Sequence, residues 1–386
     1  MTRQRAARVA LASLCLSLAL ATSARADYTL LTSFDAVAAK TVIEPQAHPV
    51  LLDGNIYFTG VTGGPSGGGT VAAYNIASNA VSIVYALSPG GLNAYGGVVL
   101  GSDGLLYGTT WSSNNVYRVA TDGTGYQVLH TFAANNNFTG PVAISGNTLY
   151  VTSANLASNG GIYSMNLDGS NFQTLYNYPG GHGPQFAGLT VSGSTIYGVA
   201  PGDIFKINTD GSNYTSLFQV SPRPFTMFET TPILSGNTLY GMAAAGGANA
   251  GGALYSVNTD GTGLTDLHDF DSGAAPADSL YLWGDTLYGM TNTGGANADG
   301  YIFSINTDGS NFQILHNFTG APDDGKWPRG SFVLDPSTNI LYGMTLRGGA
   351  NDTGTIFAIT RAAPVPEPAS LSLLLLAAAL LTRRKR

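Results

Sequence analysis

Charge is scarce in this 386-residue chain, with only 10% of residues being Asp, Glu, Lys or Arg. Such a composition argues against a helical bundle, whose outer faces need many charged side chains. Cysteine is all but missing. The one thiol, Cys15, lies within the apolar run Val9 to Ala21, so a chain that loses its leader keeps neither thiols nor disulfides. Recognisable catalytic signatures are scarce as well: there is no H-E-x-x-H and no His/Cys cluster. What the chain has in quantity is 51 Gly, 20 Tyr and 16 Phe. Short strands joined by tight turns use these residues, and the expected class is all-β.

The two ends read as processing segments. Arg3, Arg5 and Arg8 precede the apolar run, and Ala24-Arg25-Ala26 follows it as a small-residue cleavage site. Residues 1–26 are therefore expected to be a signal peptide, with Asp27 the first residue of the mature, secreted protein. At the other end Pro366-Glu367-Pro368 leads into Ala369 to Thr382, which carries no charge, and then into Arg383-Arg384-Lys385-Arg386. A Leu/Ala run can insert as a transmembrane helix while the four terminal cations stay cytoplasmic. Its 14 residues are short for a span, so Ala362 to Val365 or snorkelling arginines would have to extend it. The order of triplet, apolar run and basic stop resembles the PEP-CTERM sorting signal of Gram-negative bacteria. That resemblance implies an exosortase-type sorting enzyme as partner, cleavage near Pro366, transient anchoring in the inner membrane, and delivery to the cell surface or an extracellular polysaccharide matrix. Without both processed ends, residues 27–365 hold eight bases against 22 acids, a net charge of −14. Nucleic acid is not an expected partner of so acidic a body, and membrane is expected only through the C-terminal segment before processing.

Between the ends the chain repeats. An aromatic after a short apolar run recurs at Tyr57, Tyr107, Tyr150, Tyr197, Tyr240, Tyr288 and Tyr342, at intervals of 43 to 54 residues. Intervals of that length suit the blades of a propeller. The sixth unit divides into four strands: Ser279 to Trp283, Thr286 to Met290, Tyr301 to Asn306 and Phe312 to Phe318. The Asp-Gly pairs at 122, 168, 210, 260 and 308 supply the positive φ of hairpin turns. Asn-x-Asp-Gly also resembles the start of a calcium loop, but no acid stands at the twelfth position. The seventh unit stops after Thr355 to Thr360, and its missing strand appears at the front, where Tyr28-Thr-Leu-Leu-Thr-Ser-Phe34 matches Phe312-Gln-Ile-Leu-His-Asn-Phe318. The expected fold is a seven-bladed β-propeller over residues 27–362, closed by its N-terminal strand, with residues 363–386 as the sorting and anchor segment.

Three motifs recur with the repeat: Leu-Tyr-Gly-Met/Thr-Thr, Gly-Gly-Ala-Asn-x-x-Gly and Asp-Gly-Ser-x-Phe-x-x-Leu-His-x-Phe. Together they resemble the GloVer (Gloeobacter and Verrucomicrobia type) repeat family of bacterial surface proteins, most closely in units five to seven. The resemblance implies a propeller with one of several anchors and no particular reaction.

A residue at one phase of many blades serves the architecture. On that ground His130, His268 and His316 are assigned to packing or an interblade hydrogen bond, and the second-strand tyrosines to packing between blades with bonded hydroxyls. Out-of-phase residues of the loop face are the candidates for ligand binding: Trp111, His182, Arg223, Asp324, Trp327, Arg329 and Arg347. The tryptophans would stack on sugar faces while Arg329 and Asp324 bond hydroxyls. No catalytic residue, metal or cofactor is expected. The leading reading is a noncatalytic surface propeller that binds an extracellular polysaccharide or a partner protein. Two alternatives stand beside it: a carbohydrate-active lyase or hydrolase, with His182, Arg223 and Glu229 brought together from neighbouring crossings, and a purely structural spacer.

Overall fold

The computed structural model describes residues 26–34, 42–65, 67–87, 93–133, 136–137, 140–155, 160–178, 187–219, 225–228, 230–276 and 279–360. Residues 28–358 form one compact unit. The signal peptide, the sorting triplet and the apolar run that follows it lie outside the described residues.

Every regular element among the described residues is a strand. The strands pair into seven antiparallel blades of four, set in a ring as a β-propeller. Blade 6 shows how closely the turn residues of the sequence mark the strands. It consists of Tyr281–Trp283, Thr286–Thr291, Tyr301–Asn306 and Gln313–Asn317. In the second strand Leu287 to Thr291 are all buried, whereas the fourth begins with exposed Gln313 and Ile314. Blades packed face to face enclose the middle strands on both sides, and only the outer rim alternates between core and solvent.

The core consists of the seams between blades. Tyr197, from the second strand of blade 4, packs with Leu239, Tyr255 and Val257 of blade 5. Tyr342 of blade 7 likewise packs with Ile56 and Phe58 of blade 1. The hydroxyl of Tyr107 donates to Asp103 at 2.6 Å and, across the seam, lies 3.1 Å from the Leu167 carbonyl oxygen. The glycine of Leu-Tyr-Gly has a local cause. A Cβ on Gly289 would stand 2.3 Å from the ring of Phe303, which fills that space from the third strand.

The repeated histidines do pack. His130 stacks on Phe172 of the following blade at 4.0 Å, and His268 stacks on Phe312 at 3.7 Å. Burial holds both imidazoles below the ordinary histidine pKa. Tyr85 on Tyr126 and Tyr176 on Tyr214 continue the same contact at other seams.

The Asp-Gly turns differ in one detail from a two-residue hairpin. In Asn208-Thr-Asp-Gly-Ser212 the Asn208 amide donates to the Ser212 carbonyl and the Gly211 amide to the Asn208 carbonyl. Only the glycine takes positive φ, +85°, which makes a three-residue loop with a glycine bulge. Asp210 accepts from the amide and hydroxyl of Ser212. A Cβ on Gly211 would lie 2.8 Å from the Leu175 carbonyl oxygen of the preceding blade. The glycine is thus required by its conformation and by its neighbour.

Closure follows the expected scheme. Asp27–Ser33 pairs with Thr355–Thr360 as the outer strand of blade 7. Tyr28 stacks on His316 of blade 6 at 3.6 Å, and its hydroxyl donates to Asp324 at 2.6 Å. The first strand hooks its neighbour by the same aromatic step as the other seams and adds a buried hydrogen bond.

Candidate functional site at the channel mouth

Antiparallel connectivity puts the turns joining first to second and third to fourth strands on one face of the ring. Loops between second and third strands share the other face with the blade-to-blade crossings. On that loop face the blades differ. The second strands of blades 1, 3, 5 and 7 run eight or nine residues, for example Asn55–Gly63 and Ile340–Gly348. Those of blades 2, 4 and 6 run five or six. In blade 7 the extension is matched by Gly325–Pro328, which pairs with the far end of Ile340–Gly348, Lys326 facing Arg347 in register. Blade 1 does the same with the first half of Val42–Leu52. Blades 7 and 1 are adjacent, so two extended hairpins stand side by side there.

Polar side chains gather at that place. Arg347 donates to the carboxylate of Glu44, joining blade 7 to blade 1, and to the Asp352 carbonyl at 3.4 Å. Lys326 pairs with Asp352 at 3.0 Å. Next to them, in the crossing from blade 1 to blade 2, the ring of Tyr95 contacts that of Trp111 at 4.9 Å. Burial raises the pKa of the Tyr95 hydroxyl, the charge of Glu44 adds to the rise, and Arg329 opposes it. Tyr95 therefore lies within electrostatic reach of both blades 7 and 1.

Backbone strain marks the same region. Thirteen non-glycine residues among those described have positive φ, and all but two are Asn, Asp or Ala. The exceptions are Glu44 at +57° and Trp327 at +54°. For bulky side chains this conformation costs about 1–2 kcal/mol, and such strain clusters at functional positions. The Trp327 amide is held by the Asp299 carbonyl of blade 6 at 2.9 Å. Its indole remains 38% exposed, with the Lys326 ammonium 5.3 Å from the ring centroid.

The seven residues expected from sequence thus fall into three groups. Trp111, Trp327, Arg329 and Arg347 lie in the mouth of blades 7, 1 and 2 and its margins. Asp324 does not face solvent as a hydroxyl-binding carboxylate would. It is 6% exposed and accepts from Tyr28, His316, the Thr319 amide and the Gly325 amide at 2.6–3.0 Å. Burial pushes its pKa up, but the bonds from His316 and Tyr28 outweigh that and leave it below the ordinary aspartate value. Asp324 latches the closing seam, and a regular Asp-Asp turn gave no hint of that. His182 and Arg223 lie outside the described residues, as do Glu229, Pro366, Glu367 and Pro368.

Sequence reasoning missed Glu44, Tyr95 and Asp352. It also missed a contact between non-adjacent blades, where His48 Nε2 of blade 1 meets Ser279 Oγ of blade 6 at 2.9 Å. Ser279 is 5% exposed, so the pair acts as a tie between non-adjacent blades. Its members are 231 residues apart, a juxtaposition that no local motif announces. Among the described residues no group of three His, Cys, Asp or Glu is placed to hold a metal ion. No described helix is long and apolar enough to cross a membrane.

Among curated proteins none matches the sequence. Solved structures share the fold. An oligogalacturonate lyase from Vibrio parahaemolyticus aligns at 13% identity with TM-score 0.58, over 89% of this chain and 98% of its own. A virginiamycin B lyase from Staphylococcus aureus aligns at 13% identity with TM-score 0.61, over 87% and 99%. BamB from Moraxella catarrhalis aligns at 14% identity with TM-score 0.50, over 88% and 100%. At these identities the likeness is one of fold. In sequence, residues 185–367, which take in blades 4 to 7, match the Gloeobacter/Verrucomicrobia repeat family.

Proposed function

We propose that this chain is a noncatalytic propeller displayed at the surface of a Gram-negative bacterium and that it binds an extracellular polysaccharide through the loop face. The observation that carries the reading is Trp327, an exposed indole on a left-handed backbone, beside a cation and at the margin of a polar mouth. A flat apolar platform ringed by hydrogen-bonding groups is what a pyranose face requires. Signal peptide, sorting triplet, apolar run and basic stop supply the route: secretion, transient anchoring in the inner membrane, then processing by an exosortase-type enzyme.

A glycan array of the purified protein, repeated with Trp327→Ala and Trp111→Ala, tests the binding. Retention of one glycan class and its loss in Trp327→Ala is the expected result. A silent array, or binding indifferent to both changes, overturns the reading. For the route, mass spectrometry of the surface-released protein should show a start at Asp27 and an end near Pro366. A retained N-terminal leader or C-terminal basic tail would contradict it.

A further inference from the structure

The mouth contains a donor that the fold leaves unused. Five lysines and arginines have described side chains, and four of them are engaged: Arg118 with Gln127 and the Leu167 carbonyl, Lys206 with the Thr259 carbonyl, Lys326 with Asp352, and Arg347 with Glu44. Arg329 is different. Its Nε is buried and has no hydrogen-bond partner, and its guanidinium takes part in no ion pair among the described residues. The unpaired buried Nε costs about 1–3 kcal/mol; the two terminal amino groups are not buried with it and are the part of the fork that a ligand can reach. Arginine in such a place is shaped for one kind of occupant, because its planar fork matches a carboxylate with two parallel bonds.

Position narrows the ligand further. Arg329 follows Trp327 by two residues at the break between Gly325–Pro328 and Val333–Asp335, the two halves of blade 7's innermost strand. Residues 27–365 carry eight bases, and three of them, Lys326, Arg329 and Arg347, fall within 22 residues of blade 7. The partners Asp352 and Glu44 neutralise two of those charges, so Arg329 is the one of the three with no carboxylate partner among the described residues, on a body with net charge −14. A polyanion would be repelled by that body, whereas a mostly neutral chain with an isolated acid would meet one matching cation.

We propose that the mouth of blades 7, 1 and 2 receives an acidic sugar unit borne on an otherwise neutral polysaccharide, its carboxylate on Arg329 and a sugar ring against Trp327. The inference rests on the saccharide reading above and adds the chemical class of the ligand and the residue that selects it.

Calorimetric titration of the full chain with three tetrasaccharide-sized ligands tests it: xylotetraose, xylotriose carrying one glucuronic acid, and tetragalacturonate. The single-acid ligand is expected to bind at least about tenfold more tightly than the neutral one, the size of one charge-assisted contact. Tetragalacturonate should bind more weakly than the single-acid ligand at low salt and approach it as salt screens the acidic body. Arg329→Gln should bring single-acid affinity down to that of xylotetraose measured on the same variant. Arg329→Lys keeps the charge but lacks the fork, so it should retain only part of the preference; it also serves if the Gln variant does not fold. Equal affinity for the first two ligands overturns the inference and leaves the saccharide reading intact, as does an unaltered preference in both variants. Failure to bind any of the three overturns the inference as well, and the reading itself then stands or falls on the glycan array.

Discussion

The two faces of the ring obey different rules. On the turn face the same five-residue loop recurs with the same bonds: Asn166 to Ser170, Asn208 to Ser212, Asn258 to Thr262 and Asn306 to Ser310. Each of its glycines presses on a backbone carbonyl of the preceding blade. On the loop face, blades with extended hairpins alternate with short ones until the ring closes, where blades 7 and 1 stand extended together. Among the described residues, the bulky ones in left-handed conformations, Glu44 and Trp327, occur there. Repetition follows where every blade must solve one packing problem, and departure from it collects where the surface is free to differ.

The sharpest break with this division is Asp324, a loop-face residue that serves the core. Asp324→Ala would leave the Tyr28 hydroxyl and two backbone amides without their acceptor, and a loss of about 3–5 kcal/mol is expected in chemical denaturation. A change under about 1 kcal/mol would show that the seam closes without the latch. Acid should reproduce part of this. Because the folded pKa of Asp324 lies below its ordinary value, its contribution is present above the unfolded carboxylate range and is lost as pH falls through the depressed value.

Turn-face glycines divide the cost of conformation from the cost of neighbours. Gly211→Ala combines positive φ with the approach to Leu175 O and should cost about 2–4 kcal/mol, whereas Gly104→Ala, at φ +79° with open space around it, should cost about 1–2 kcal/mol. Equal losses in thermal unfolding would mean that the interblade contact contributes nothing.

Asp203 supplies the opposite electrostatic case. Burial raises its pKa despite bonds from Ser216 and Tyr214. The folded state holds that proton more tightly than the unfolded chain, so wild-type stability declines as pH rises from the unfolded value through the raised folded one. Asp203→Asn should remove the decline and leave the variant more stable at pH 7. Parallel melting curves for the two proteins between about pH 4 and pH 7 would refute this.

The smallest stability effect is expected at the mouth itself. Trp327→Gly relieves a left-handed backbone and removes an exposed ring, so its unfolding midpoint should stay within about 1 kcal/mol of wild type or rise, while glycan binding disappears. A large loss of stability would turn Trp327 from a binding surface into a core residue.

These contrasts also explain what could be read from the sequence. Seven units, four strands in each, and the closure by Tyr28 to Phe34 were all legible, because a repeat states its own phase and its turns carry Gly and Asp at fixed offsets. Histidine packing could be read for the same reason. The site was legible only in outline. Trp327, Arg329 and Arg347 stand out as departures from phase, but Glu44 and Tyr95 come from other blades and are brought to them only by ring closure. Asp324 was read as a surface carboxylate because its neighbours, Asp323 and Gly325, look like an ordinary turn. Its partner Tyr28 is 296 residues away, and no window on the sequence spans that distance.

That distance governs how the molecule is made. The strand that completes blade 7 is the first of the propeller to be synthesised and has no partner until Thr355–Thr360 has appeared at the far end. Native pairing at this seam has the highest contact order in the chain, which places it among the slow steps of folding. The entropic cost of such a long closure grows only slowly with length, by about 0.6 kcal/mol for each doubling of the loop. The paired strands and the Asp324 latch at this seam therefore work against a cost only slightly larger than a shorter chain with fewer blades would meet.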